Sequence, residues 1–183
     1  MHIDSDVMFF RKLNAADALQ DGRVRFFRTD GKTGNPLHCE WVRRSAQCLG
    51  VDASPDLETH YVENCVLWSS AICQRMIAKI EQTHSRPWYQ VLAEQPTLSE
   101  YYLYGIFSDT LGPDSGLQPE GQSFCLSHWP ASNETPYDFD KHMSRMHPKH
   151  CALAIPSIYP MPEERRAHVA RMAAEKFVAQ SNE

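Results

Sequence analysis

Asp4-Ser5-Asp6 places two carboxylates two positions apart, after Ile3 and before the apolar run Val7-Met8-Phe9-Phe10. At the end of a strand such a pair reaches one hard cation. Magnesium or manganese is typically held by one or two protein carboxylates together with substrate phosphates. Spacing alone does not carry the assignment, because chance gives about 0.7 such pairs at this aspartate content. Asp138-Phe139-Asp140 repeats the pattern, and on spacing alone a solvated turn is the better explanation of the first pair. His128, in Ser127-His128-Trp129 at the end of a strand pattern, offers a neutral imidazole. It is either a metal ligand or a packed, hydrogen-bonded histidine. Glu100 follows the helix-capping Ser99. Its carboxylate either favours the positive end of that helix, or accepts a proton from or holds a sugar hydroxyl. Asn64 sits inside an apolar strand pattern. It either makes a local turn or bulge, or gives its amide to a ligand hydroxyl.

Other chemistries fail on their residues. There is no G-x-S-x-G and no G-x-G-x-x-G, and Gly31-Lys32-Thr33 lacks the phosphate-loop glycine, since position 26 is Phe. His142, His147, His150 and Cys151 match no standard zinc spacing and read as surface and loop histidines. Tyr101, Tyr102, Tyr104 and Trp88 read as core and rim rather than a stacking platform for sugars or bases.

The elements that must position these residues alternate. His2–Ile3 reads as a strand end, Arg23–Arg28 as a strand, and 29–36 as a turn cluster. A helix over 38–49 is closed by Gly50. Residues 51–59 read as loop and 60–68 as one strand. Ser69 or Ser70 caps a helix to about His84, with Ile72, Met76, Ile77 and Ile80 on one face. Arg86-Pro87 ends it, 88–93 is a short helix, and Ser99 caps another through Phe107. Residues 108–121 read as a long loop, 123–129 as a strand, 139–147 as helical and 151–155 as a last strand. Pro162 opens a terminal helix carrying Val169, Met172, Ala173 and Phe177. The alternation predicts an α/β fold, with 1–183 as a single domain.

The chain has 183 residues, 42% hydrophobic and 22% charged, with a net charge of -5. That describes a folded globular protein and argues against a dedicated nucleic-acid binder. No apolar run approaches a membrane span, and no secretion signal is recognisable, so a cytoplasmic location is expected. The six cysteines form no C-x-x-C pair and read as reduced thiols.

Tyr61-Val62-Glu63-Asn64-Cys65-Val66-Leu67-Trp68, Arg86-Pro87-Trp88 and Ser99-Glu100-Tyr101-Tyr102-Leu103-Tyr104-Gly105 follow one another along the chain. Together they resemble an uncharacterised bacterial family of glycosyltransferase-like proteins, a domain of unknown function. That family shows Ser-Glu-Tyr-x-Leu-Tyr-Gly and a later segment like Ser127-His128-Trp129. Residues 3–10 resemble the D-x-D segment of GT-A-type glycosyltransferases. The resemblance implies a GT-A-like fold, a mixed, largely parallel sheet flanked by helices. It implies that Asp4 and Asp6, with His128 as third ligand, face Mn2+ or Mg2+ bridging the diphosphate of a nucleotide-diphosphate sugar. It places Asn64 and Glu100 in the sugar or acceptor pocket, with Glu100 the base if the transfer inverts. In such proteins an N-terminal βαβ half that binds the nucleotide base precedes the acidic pair. The chain is expected to be the C-terminal portion of that fold, inactive as this short form. Two competing expectations are a non-catalytic binding module that pairs through an uncovered sheet edge, and a small metal-dependent hydrolase on Asp4, Asp6 and His128.

Overall fold

The computed structural model describes residues 1–31, 35–52, 58–127, 138–155 and 161–181. Strands are numbered β1–β10 and helices α1–α7 along the chain. Among the described residues they make a mixed α/β fold of four small sheets flanked by helices, where one larger sheet was expected. The chain divides into two compact units. The first combines Met1–Leu19, Glu63–Val66 and Gln122–Glu183; the second combines Gln20–Val62 and Leu67–Gly121.

In the first unit, β1 (His2–Ile3) pairs antiparallel with β7 (Cys65–Val66). β10 (Ala152–Ala154) is the centre of a three-stranded sheet, antiparallel to β2 (Val7–Phe9) and parallel to β9 (Cys125–Ser127). The register aligns Met8, Leu153 and Leu126 across the three strands. Strand side chains alternate between faces, so these three share one face. That face is the core. Leu126, Leu153 and Ile155 pack there with Met143 of α6 (Phe139–Met143) and with Val169 and Ala173 of α7 (Glu163–Ser181). The apolar face expected of the last helix is therefore the one it buries. Phe177 extends it, its ring tilted against Phe10 at 5.7 Å with the Arg11 guanidinium over it.

Arg11 also joins distant segments. Its guanidinium makes a two-point ion pair with Asp17, at 2.7 and 2.9 Å, in α1 (Ala15–Ala18). It donates to the carbonyls of Pro148, Lys149 and His150 as well. Arg11→Lys keeps the charge but loses the planar fork, and is expected to lower stability by about 1–2 kcal/mol in urea denaturation.

The second unit is built on α5 (Glu100–Leu111), in which every residue from Tyr101 to Ser108 is buried. A helix apolar all round belongs in a core. α2 (His38–Leu49) packs against it and against α3 (Ser70–His84), with α4 (Trp88–Ala93) beside α3. Gly50 ends α2 at φ 65°, the left-handed cap that the sequence predicts. β3 (Leu19–Gln20), β4 (Arg23–Phe27) and β8 (Leu117–Glu120) form one sheet, with β4 and β8 parallel. β5 (Thr29–Asp30) and β6 (Thr59–His60) form another, antiparallel. Tyr61 lies under Gly105 of α5; a Cβ there would stand 2.3 Å from the ring. The ring stacks on Phe26, meets Tyr102 edge-on, and donates its hydroxyl to Asp109 at 2.7 Å.

Three expectations are corrected. Residues 60–68 are not one strand. β6 and β7 are separate, and between them Glu63 and Asn64 bond locally, with the Asn64 N–H donating to the Glu63 carboxyl. Residues 108–121 are not all loop. They hold a 3-10 turn at Gly112–Ser115 and then β8, whose Pro119 is tolerated because β8 lies at the sheet edge. His142 and His150 are not surface residues; they are 1% and 3% exposed. His142 donates through Nε2 to the Leu126 carbonyl, and His150 Nδ1 accepts the His147 N–H. All six cysteines are free.

Candidate functional site

The acidic pair sits in a tight turn between two strands. β1 stops at Ile3, but its ladder runs one step further: the Asp4 N–H donates to the Asn64 carbonyl at 3.0 Å. The Val7 N–H then donates to the Asp4 carbonyl at 3.2 Å, closing a four-residue turn before β2. Aspartate favours such turns for its local bonding. Both carboxylates are half-buried. The structure therefore brings Asp4, Asp6 and Asn64 into one neighbourhood of the first unit.

Asn64 is 6% exposed. Its peptide is held on both sides, by Asp4 through its carbonyl and by Glu63 through its N–H. Its side-chain amide nitrogen, by contrast, is buried and has no hydrogen-bond partner among the described residues. Buried donors are nearly always paired.

Glu63 is the residue that sequence reasoning missed. It too is 6% exposed. Its Oε1 accepts the Asn64 N–H at 2.7 Å and the Ser127 hydroxyl. The Ser123 hydroxyl also donates to the carboxyl, while Ser123 Oγ accepts the Cys125 N–H at 2.9 Å. Strand alternation explains this convergence: Ser123, Cys125 and Ser127 share the face of β9 opposite Leu126. Burial, with a smaller push from the Asp4 charge, raises the Glu63 carboxyl to about 7, against the pull of Ser127, Asn64 and Ser123. The signal in the sequence was an acid inside an otherwise apolar run, directly before Asn64.

Glu100 is the first residue of α5, in the second unit, with an exposed side chain. Ser99 caps that helix in extended conformation without a side-chain bond. The tyrosines that follow are core, as expected, whereas Trp88 is 37% exposed. His128 lies outside the described residues, one position beyond Ser127 at the end of β9.

Among the described residues no group of three or more His, Cys, Asp and Glu is gathered as a metal site would gather them. Two carboxylates on one turn still fit magnesium or manganese, which take the rest of their shell from water and phosphate. No helix among the described residues is long and apolar enough to cross a membrane.

No curated protein and no solved structure matches the chain. A family model described as a family of unknown function (DUF6492) matches residues 1–141. That description names no activity, but it meets the expectation of an uncharacterised family. The chain belongs to the DUF6492 family.

Proposed function

We propose that the Asp4–Asp6 turn is the cation site of a GT-A-like, metal-dependent glycosyltransferase, and that its ligand is a nucleotide-diphosphate sugar. The observation that supports this reading is the Asn64 amide. A buried donor left unpaired costs about 1–3 kcal/mol, and a ligand oxygen arriving beside Asp4 would recover that cost. Asp4 and Asp6 would hold Mn2+ or Mg2+, with His128 as a third ligand. Bound there, the cation neutralises charge on the leaving diphosphate. Asn64 orients the ligand by donating to one of its oxygens.

Titration calorimetry with uridine diphosphate and guanosine diphosphate tests this. At least one is expected to bind with Mn2+ present and not in chelator, and Asp6→Ala should weaken binding by about 100-fold. Equal affinity with and without metal, or no binding of either, would overturn the reading.

A further inference from the structure

Glu63 bears an expensive arrangement. Its carboxyl is buried, and among the described residues the groups that influence it are three donors and one acid, Asp4, with no lysine or arginine. Taking a carboxyl out of water without a cation is costly. Joining two segments of a fold does not require it, since an amide accepts the same hydrogen bonds. The next residue, Asn64, carries the unpaired buried amide described above. Two costly groups thus occupy consecutive positions beside Asp4. Such costs gather where a protein orients something for a ligand.

The geometry states what Glu63 does. One carboxyl gathers the Asn64 N–H and the hydroxyls of Ser123 and Ser127. It thereby clamps the Asn64 peptide, whose carbonyl is already fixed by Asp4, to the polar face of β9. With its peptide held on both sides, Asn64 keeps only its side-chain torsions.

We infer that Glu63 is a positioning residue: its carboxyl fixes the Asn64 peptide against Ser123 and Ser127 and so aims the Asn64 amide at the ligand's oxygen. This rests on the reading of the Asp4–Asp6 turn as the ligand site, so the test has one arm that needs no ligand.

In the free chain, nitrogen-15 relaxation of the Asn64 side-chain amide measures its order. Glu63→Leu is expected to lower that order, and Glu63→Gln to restore it, because the amide oxygen still accepts from Asn64 and Ser127. With Mn2+ and the diphosphate that binds, Glu63→Leu should weaken binding by about 10–100-fold, matching Asn64→Ala. The double variant should bind no worse than Asn64→Ala alone, since both changes remove the same aimed group. Where Glu63→Leu does not fold, Ser127→Ala removes one arm and should lower the Asn64 order by a smaller amount. An Asn64 amide as ordered in Glu63→Leu or Ser127→Ala as in the native chain would overturn the inference. So would a folded Glu63→Gln that behaves like Glu63→Leu. If no diphosphate binds the native chain, the cation-site reading fails, while the relaxation result still decides the role of Glu63.

Discussion

Gly105→Ala is expected to destabilise the unit built on α5 by about 2 kcal/mol or more, although alanine is the better helix former. The new Cβ would meet Cγ and Cδ1 of Tyr61 at 2.3 and 2.4 Å. Those atoms are at the root of the ring, not at the end of a flexible chain. The ring cannot simply swing away, because it stacks on Phe26 at 5.9 Å and is tied through its hydroxyl to Asp109. Asp109 is in turn held by Arg28 at 2.9 Å. Helix propensity pulls the other way by about 0.8–1 kcal/mol, so the sign is decided by the clash. A urea midpoint equal to or above the native one would show that propensity wins and that the contact yields. The cycle with Tyr61→Ala locates the cause. Removing the ring removes the clash, so Gly105→Ala on that background should cost little or even stabilise.

The second large effect concerns pH. The Glu63 carboxyl is pushed up to about 7, from an ordinary 4.5, by burial. Between those values the folded chain keeps a proton that the unfolded chain has released. The Glu63 contribution to stability therefore falls as pH rises through that window, by about 3 kcal/mol in all. His150 acts in the opposite sense. Burial, then the charges on His147, Arg145 and Arg11, bring it down to about 4 from 6.5. There the unfolded chain binds the extra proton, so stability falls as pH drops from 6.5 toward 4. The two slopes offset each other between 4.5 and 6.5, and stability is expected to be greatest there. Above 6.5 the Glu63 loss stands alone and, up to about 7, shows as a net fall of about 1 kcal/mol. Urea midpoints measured at several pH values should show the native chain losing stability on the alkaline side. Glu63→Gln, which has no proton to lose, should not share that loss. Parallel curves for the two proteins would remove Glu63 as the cause.

Local signals in the sequence were strong where one element answers to one pattern. Gly50 marked the end of α2, and Ser69 and Pro87 bracketed α3, because backbone geometry at those positions admits few residues. The pattern failed where tertiary pairing decides. The run from His60 to Trp68 reads as one strand from its apolar residues, yet its two halves join different partners, β5 and β1. Nothing local to the run encodes that division, apart from the polar step at Glu63 and Asn64. The glycines and prolines of 108–121 suggested a loop because edge position, which makes Pro119 acceptable, is a property of the sheet. His142 and His150 read as surface residues because their partners, the Leu126 carbonyl and the His147 N–H, are backbone groups without a sequence signature. At the candidate site, Asp4, Asp6 and Asn64 were legible as residue types. Glu63 was not, since its three donors come together only when Ser123 and Ser127 face it across the fold.

The first unit draws its strands from stretches of chain far apart in sequence, and this has a consequence in time. Met8 faces Leu153 across the sheet. At a synthesis rate of about 5–20 residues per second, the roughly 145 residues between them take about 7–30 s to make. Throughout that interval Val7–Phe9 exists without the strand that completes it. A short apolar segment waiting on the ribosome is an invitation to aggregate, and flanking charges are the usual safeguard. Asp4 and Asp6 stand beside that segment from the moment it emerges. Two carboxylates beside an unpaired apolar strand are flanking charges of that kind.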